Sequence, residues 1–238
     1  MTGLTEQKRS ILPAWVSNNA LKLLALLSMT CDHVGLELLP QFRILRIIGR
    51  LAFPIFAYMI AEGCRYTRNR KKYLLTLAAM ALLYQLVYLI AMGSLYQGIF
   101  VTFSLSVSVI FAIDLARERG SAAAWLGAFG VLAAVCAVCV VLPEVLIHTD
   151  FAVDYDIWGV LLPVAVYFAP SREWKLVAAA AMLVVLALFW GGTQWWSLLA
   201  LIPLACYNGK RGKYKMKNLF YIYYPAHLVV IYILDMLM

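Results

Sequence analysis

Apolar residues gather in nine runs, at about 20–40, 44–63, 73–92, 99–116, 122–142, 157–169, 174–190, 195–207 and 218–237, separated by short polar connections. A hydrocarbon core of about 30 Å asks for about 20 apolar residues per helix, so most of these runs have the length of a spanning helix. The pattern predicts an all-α, polytopic transmembrane bundle of about nine spans, in which the short runs 157–169 and 195–207 fit tilted or partly re-entrant elements. Pro54, Pro163 and Pro203 fall inside apolar runs, where they predict kinks and carbonyls released toward neighbours or water. No repeat, low-complexity tract or long linker interrupts the series. The expected organisation is therefore a short N-terminal segment, 1–19, followed by one transmembrane domain over 20–238.

Composition removes the soluble alternatives. The 238 residues are 64% hydrophobic and only 13% charged, with a mean hydropathy of +0.84, far from the composition of a soluble domain. The net charge of +8 does not point to nucleic acid, because Lys and Arg arrive in short clusters between apolar runs rather than on one solvated face. Sixteen of the twenty cations fall before the first run, in 65–72, at 117–119, at 172–175 and in 210–217. With nine spans, all of those connections share one side. The positive-inside rule makes that side cytoplasmic, which predicts a cytoplasmic N-terminus, an external C-terminus and residence in the cell (inner) membrane. No cleavable signal peptide is expected. Glu144, Asp150, Asp154 and Asp156 give the other face an acidic rim.

The functional signal lies in the charges that break this rule, since an ionisable group at bilayer depth costs several kcal/mol and is usually paired and cavity-facing. Four cations escape the clusters: Lys22, Arg43, Arg46 and Arg50. Lys22 and His33 are eleven residues apart, which returns to nearly the same helix face about 16 Å further on. Asp32 precedes His33, and Glu37 follows one turn later. A carboxylate within reach orients an imidazole and raises its basicity, as a general base requires. The bland alternative is that Asp32 and His33 pair with arginines to hold helices together. Arg43, Arg46 and Arg50 recur at i, i+3 and i+7 and form one stripe, either structural or substrate-binding. In the last run, His227 reaches a depth similar to that of His33, beside Tyr221, Tyr223, Tyr224 and Pro225. That placement makes a shared polar cavity a consistent expectation.

Other motifs are quieter. Cys136 and Cys139 form a CxxC inside an apolar run, where cysteine behaves as a small hydrophobe rather than a redox or metal ligand. The sequence holds no Gly-rich phosphate loop, GxSxG elbow or HExxH, and no metal is expected.

Several short motifs resemble the TraX family in the right order. They are Lys22 through His33, then Gly49-Arg50-Leu51-Ala52-Phe53-Pro54-Ile55-Phe56, then Ala61-Glu62-Gly63 with Tyr66-Thr67, and finally Tyr224-Pro225-Ala226-His227-Leu228. TraX proteins are linked to acetylation of a conjugative pilin N-terminus, and the family is similar to the integral membrane acyltransferases called acyltransferase three. Those enzymes carry an arginine, ten residues and a histidine in their first helix and draw acyl groups from cytoplasmic acyl-CoA. Lys22 and His33 match that spacing, with lysine keeping the charge but losing the bidentate fork of arginine. The resemblance implies His33 as catalytic base, Lys22 and Arg50 as charge contacts and His227 as a second cavity residue.

The residues alone point to a buried polar site in a membrane bundle; the acetyl group and coenzyme A come only from the resemblance, which implies a membrane acetyltransferase. Acetyl-CoA is its expected co-substrate and an amine or hydroxyl of a peptide, glycan or lipid its acceptor, with a pilin N-terminus among the candidates. Asp32, His33 and His227 would carry the chemistry, and Lys22, Arg46, Arg50 and Arg65 would hold the coenzyme. Glu37, Arg43, Glu62 and Tyr224 would line the same polar cavity. The reading requires Lys22 and His33 to face a common chamber. A secondary transporter or proton-coupled carrier using the same intramembrane network is the alternative, and a noncatalytic scaffold the third.

Overall fold

The structure, a computed structural model, describes residues 14–213 and 217–237. Lys8, Arg9 and Lys215 lie outside the described residues, as does most of the expected segment 1–19. Every apolar run proves helical: α1 (Asn18–His33) with a π-helical continuation (Val34–Leu38), α2 (Arg43–Gly49), α3 (Ala52–Tyr66), α4 (Arg70–Met92) and α5 (Ile99–Arg119). The series continues with α6 (Ala122–Cys136), a π-turn (Ala137–Val141), α7 (Leu142–Val145), α8 (Asp156–Phe168), α9 (Arg172–Trp190), a 3₁₀ helix (Gly192–Ala200), α10 (Leu201–Ala205) and α11 (Lys217–Leu237).

Among the described residues, five helical stretches are long and apolar enough to cross a bilayer: Arg43–Tyr66, Arg70–Ile90, Ile99–Arg119, Ala122–Val145 and Arg172–Trp190. Asp156–Phe168 and Ile222–Leu237 are shorter apolar helices. The fold is an all-helical membrane bundle. Its outward faces carry Leu82, Leu86, Ile90, Leu126, Phe129, Leu188 and Phe189, all exposed, an apolar coat suited to lipid and hostile to water.

Local chemistry sets the ends. Ser17, Asn69, Ser121 and Ser171 each accept a backbone N–H three residues on and cap α1, α4, α6 and α9. Pro54 falls in the first turn of α3, where its missing N–H costs nothing. The helix breaks before it, between Gly49 and Ala52, so the expected kink is a junction between α2 and α3. The run 195–207 is not a continuous α-helix. Its first part winds as 3₁₀, which stacks Gln194, Ser197 and Ala200 three residues apart on one buried face.

The connections sort to the two ends of the bundle. At one end, the backbone of Trp15, Val16, Asn18 and Asn19 bonds to Cys206, Lys210 and Arg211 carbonyls. At that end Arg70 also pairs with Asp114 at 3.4 Å and Glu118 at 2.8 Å. At the other end, the connections 93–98 and 146–155 are stitched together: Gln97 N–H donates to Ala152, Asp154 N–H donates to Gln97, and Asp150 accepts from the Ser94 hydroxyl and from Leu95 N–H. The Lys/Arg-rich connections thus converge on one end, and those without Lys or Arg on the other.

Candidate functional site

At the end without cationic clusters, the bundle holds a partly open cavity of about 500 Å³. Its polar wall comes from the C-terminal part of α1 and from α2: Asp32, His33, Glu37, Arg46 and Arg50. Gly49 sets the approach of these helices, because a Cβ there would strike the Asp32 side chain. The π-turn begins directly after His33, and Leu39 N–H closes it on Val34 O at 2.8 Å. Such turns widen a helix locally and recur at functional sites.

Two histidines meet behind this wall. His33 Nδ1 lies 2.9 Å from Met29 O and 3.2 Å from His227 Nε2, while His227 Nδ1 lies 3.1 Å from Tyr223 O. A carbonyl only accepts, so each neutral ring carries its proton on Nδ1. The His33 N–H is then shared between Met29 O and His227 Nε2, which leaves a lone pair on His33 Nε2. Tyr223 stacks on His227 at 5.5 Å, and its hydroxyl is 2.7 Å from Thr30 Oγ1, which fastens α11 to α1. His227 is 7% exposed and Tyr224 is buried beside it, in edge contact with Phe100 and Tyr84.

Asp32 faces the arginines instead of the imidazole. Arg50 Nη2 reaches its two oxygens at 2.7 and 2.9 Å, and Arg46 Nη1 lies 2.9 Å from Oδ2. Arg50 also donates to Gln194 on the 3₁₀ helix at 3.4 Å. The cavity therefore holds two guanidiniums on one carboxylate, beside an imidazole.

Residues 17–235 match the family model described as TraX protein. The chain belongs to the TraX family. It is 26% identical over 240 residues to a probable fimbrial assembly protein FimC, serogroup H1, of Dichelobacter nodosus, covering 89% of this chain and 92% of that one. A shorter stretch of 38 residues is 55% identical to an uncharacterized protein of Rickettsia prowazekii (strain Madrid E), 16% of this chain and 15% of the other. No solved structure matches the chain.

In this TraX-family chain the predicted residues part company. His33, Asp32, Glu37, Arg46, Arg50 and Tyr224 come together at the cavity, with His227 against His33. Lys22 does not join them. It lies on the same face of α1 as His33, but Ala25 at 0% and Met29 at 5% exposure fill the face between, and Met29 is where the cavity stops. Arg65 donates to the Tyr167 carbonyl at 2.8 Å and so caps the end of α8. Glu62 is buried in an ion pair with Lys175 that ties α3 to α9. Arg43 is exposed and outside the lining. A helical wheel shows which face a residue occupies but not what packs over that face, and these four lie away from the cavity.

Tyr96, Asp154, Tyr155 and Trp190 also line the cavity. Tyr155 adopts a left-handed φ of 60° and stacks on Phe53 at 3.8 Å, a strained turn that aims an aromatic ring inward. Only the acidity of the connection hinted at this in the sequence. Tyr96 donates to Asp154 at 2.8 Å. Burial pushes the Asp154 carboxyl up to about 6, against the opposing Tyr96 hydrogen bond and the Arg50 charge. A carboxyl raised in the fold contributes stability below its unfolded value and loses it as pH rises through the folded one. Melting temperature in detergent should therefore fall between pH 4 and pH 6 more steeply in the wild type than in Asp154→Asn. Equal slopes would remove Asp154 from this role.

Proposed function

We propose that this chain is a pilus-related membrane acyltransferase that moves an acetyl group from acetyl-CoA to an amine or hydroxyl acceptor, a pilin or fimbrial subunit N-terminus being the first candidate. The common chamber expected for Lys22 and His33 is not formed, so the reading no longer rests on that pair; what carries it is the lone pair of His33 Nε2, on a residue that lines a cavity with Arg46 and Arg50. Family membership and the fimbrial assembly relative support the pilus connection.

The chemistry follows from these positions. The acceptor nitrogen or oxygen attacks the thioester carbonyl, and His33 Nε2 takes the proton it loses. The developing oxyanion is stabilised by an Arg46 or Arg50 N–H, already oriented by Asp32. Collapse breaks the carbon–sulfur bond, and the imidazolium returns its proton to the coenzyme thiolate. His227 Nε2, accepting from His33 Nδ1, favours the imidazolium while it lasts. The products are the acetylated acceptor and coenzyme A. The test is incubation of the purified protein in nanodiscs with labelled acetyl-CoA and a pilin-type peptide. Transfer or thioester hydrolysis supports the reading, whereas no coenzyme binding together with proton-coupled flux into liposomes favours a carrier.

We place the cationic end of the bundle at the cytoplasm, the cavity end outside, and all nine helical runs in the inner membrane. His148, exposed in the connection before α8, reports on this. In a background free of other cysteines, His148→Cys should react with an impermeant maleimide on intact spheroplasts. Labelling only after lysis would reverse the orientation.

A further inference from the structure

A second hollow runs along α4 from the cationic end. It is a shallow, open groove of about 590 Å³ on the surface of that one helix, lined by Lys71, Lys72, Leu75, Thr76, Ala79 and Met80. Met80 also lines the catalytic cavity, followed there by Leu83, Tyr84 and Val87. Lys72, Thr76, Met80, Leu83 and Val87 fall within a sector of about 80° on one side of the helix, so the two hollows form one stripe. The donor route expected through Lys22 is filled by Ala25 and Met29; the α4 stripe is not.

The two ends of the stripe differ in chemistry. At its start, Lys71 and Lys72 are exposed on the first turn of a helix whose dipole favours anions. Arg70 is turned away, onto Asp114 and Glu118, so the charge offered to the groove is that of the two lysines. Thr76 commits its hydroxyl proton to Lys72 O at 2.7 Å. Beyond it, Ala79 and Met80 present an open, apolar surface. From Lys72 to Met80 the helix rises about 12 Å. Pantetheine has roughly the backbone length of four residues, which reach about 14 Å when extended.

We propose that the α4 groove is the entry site for the acyl donor, with Lys71 and Lys72 holding the phosphates of a coenzyme A thioester and its pantetheine arm lying along Thr76, Ala79 and Met80 toward His33. The assignment rests on the acetyl-CoA reading above. It places the donor contact at the start of α4 instead of at Lys22.

The experiment compares acetyl-CoA with acetyl-pantetheine, which carries the same thioester and no phosphate, using full-length protein in neutral phosphatidylcholine nanodiscs. The double variant Lys71→Glu/Lys72→Glu should lower the preference for acetyl-CoA over acetyl-pantetheine, measured as the ratio of kcat/KM values, by about tenfold or more. Ala79→Trp, which fills the groove, should raise KM for both donors. An unchanged preference in the double variant together with an unchanged KM in Ala79→Trp overturns the proposal. So does an effect of the lysines seen only when phosphatidylglycerol is added, because the groove would then hold lipid headgroups. If the wild type transfers no acetyl group, the proposed function fails separately, and direct binding of coenzyme A decides the groove. Weaker binding in the double variant than in the wild type sustains it, and equal binding ends it.

Discussion

His33→Ala is expected to lower acetyl transfer by roughly 10²–10⁴-fold, the usual contribution of a positioned general base. The loss should fall on kcat, because the imidazole acts when the acceptor proton moves and not when the donor binds. The side chain is only half-buried, so its removal should leave the bundle folded and the melting temperature close to that of the wild type. His227→Ala should cost less. It removes the acceptor behind the ring, yet the Met29 carbonyl still holds His33 Nδ1–H. Single-turnover rates with labelled acetyl-CoA separate these cases. Full activity in His33→Ala would take the catalytic base out of the cavity altogether.

Asp32→Ala should be the most damaging single change to stability near the site. The carboxylate accepts from both Arg46 and Arg50, with side chains 25% and 13% exposed against its own 18%. Without it, two guanidiniums face each other away from most of the solvent. Removing one partner of a buried pair costs about 3–5 kcal/mol, and the residual exposure places this case near the lower bound. Thermal unfolding in detergent should fall by several degrees. Adding Arg50→Met should restore part of the loss, since the repulsion goes with the charge, and a double-mutant cycle would measure that coupling. A melting temperature unmoved by Asp32→Ala would mean that solvent already screens the cluster.

The geometry of this cluster also changes what Asp32 does. Adjacency in sequence suggests a carboxylate that orients the neighbouring imidazole. On a helix, however, consecutive residues diverge by about 100°, so Asp32 and His33 address different partners. The ring is oriented by a backbone carbonyl one turn back and by a histidine 194 residues away. The arginine stripe divides likewise: Arg46 and Arg50 reach Asp32, and Arg43 stays outside. Its period predicts a shared face, whereas the break after Gly49 and the close approach to α1 decide which members turn inward.

What the amino-acid sequence determined by itself was the class of molecule and the depth of its polar groups. Run lengths, cationic clusters and intramembrane exceptions follow from the solvent on either side of a bilayer, and each is local enough to read along one dimension. The helices, the family motifs, and the common level of His33 and His227 are all legible in this way. Only the tertiary structure decided which polar groups share a space. It closed the path from Lys22 with Ala25 and Met29, gave Glu62 to Lys175 and Arg65 to the end of α8, and brought Asp154 and Tyr155 in from a distant connection. Cavities are made by the packing of helices far apart in sequence, and no periodicity within one helix specifies what its neighbour places against it.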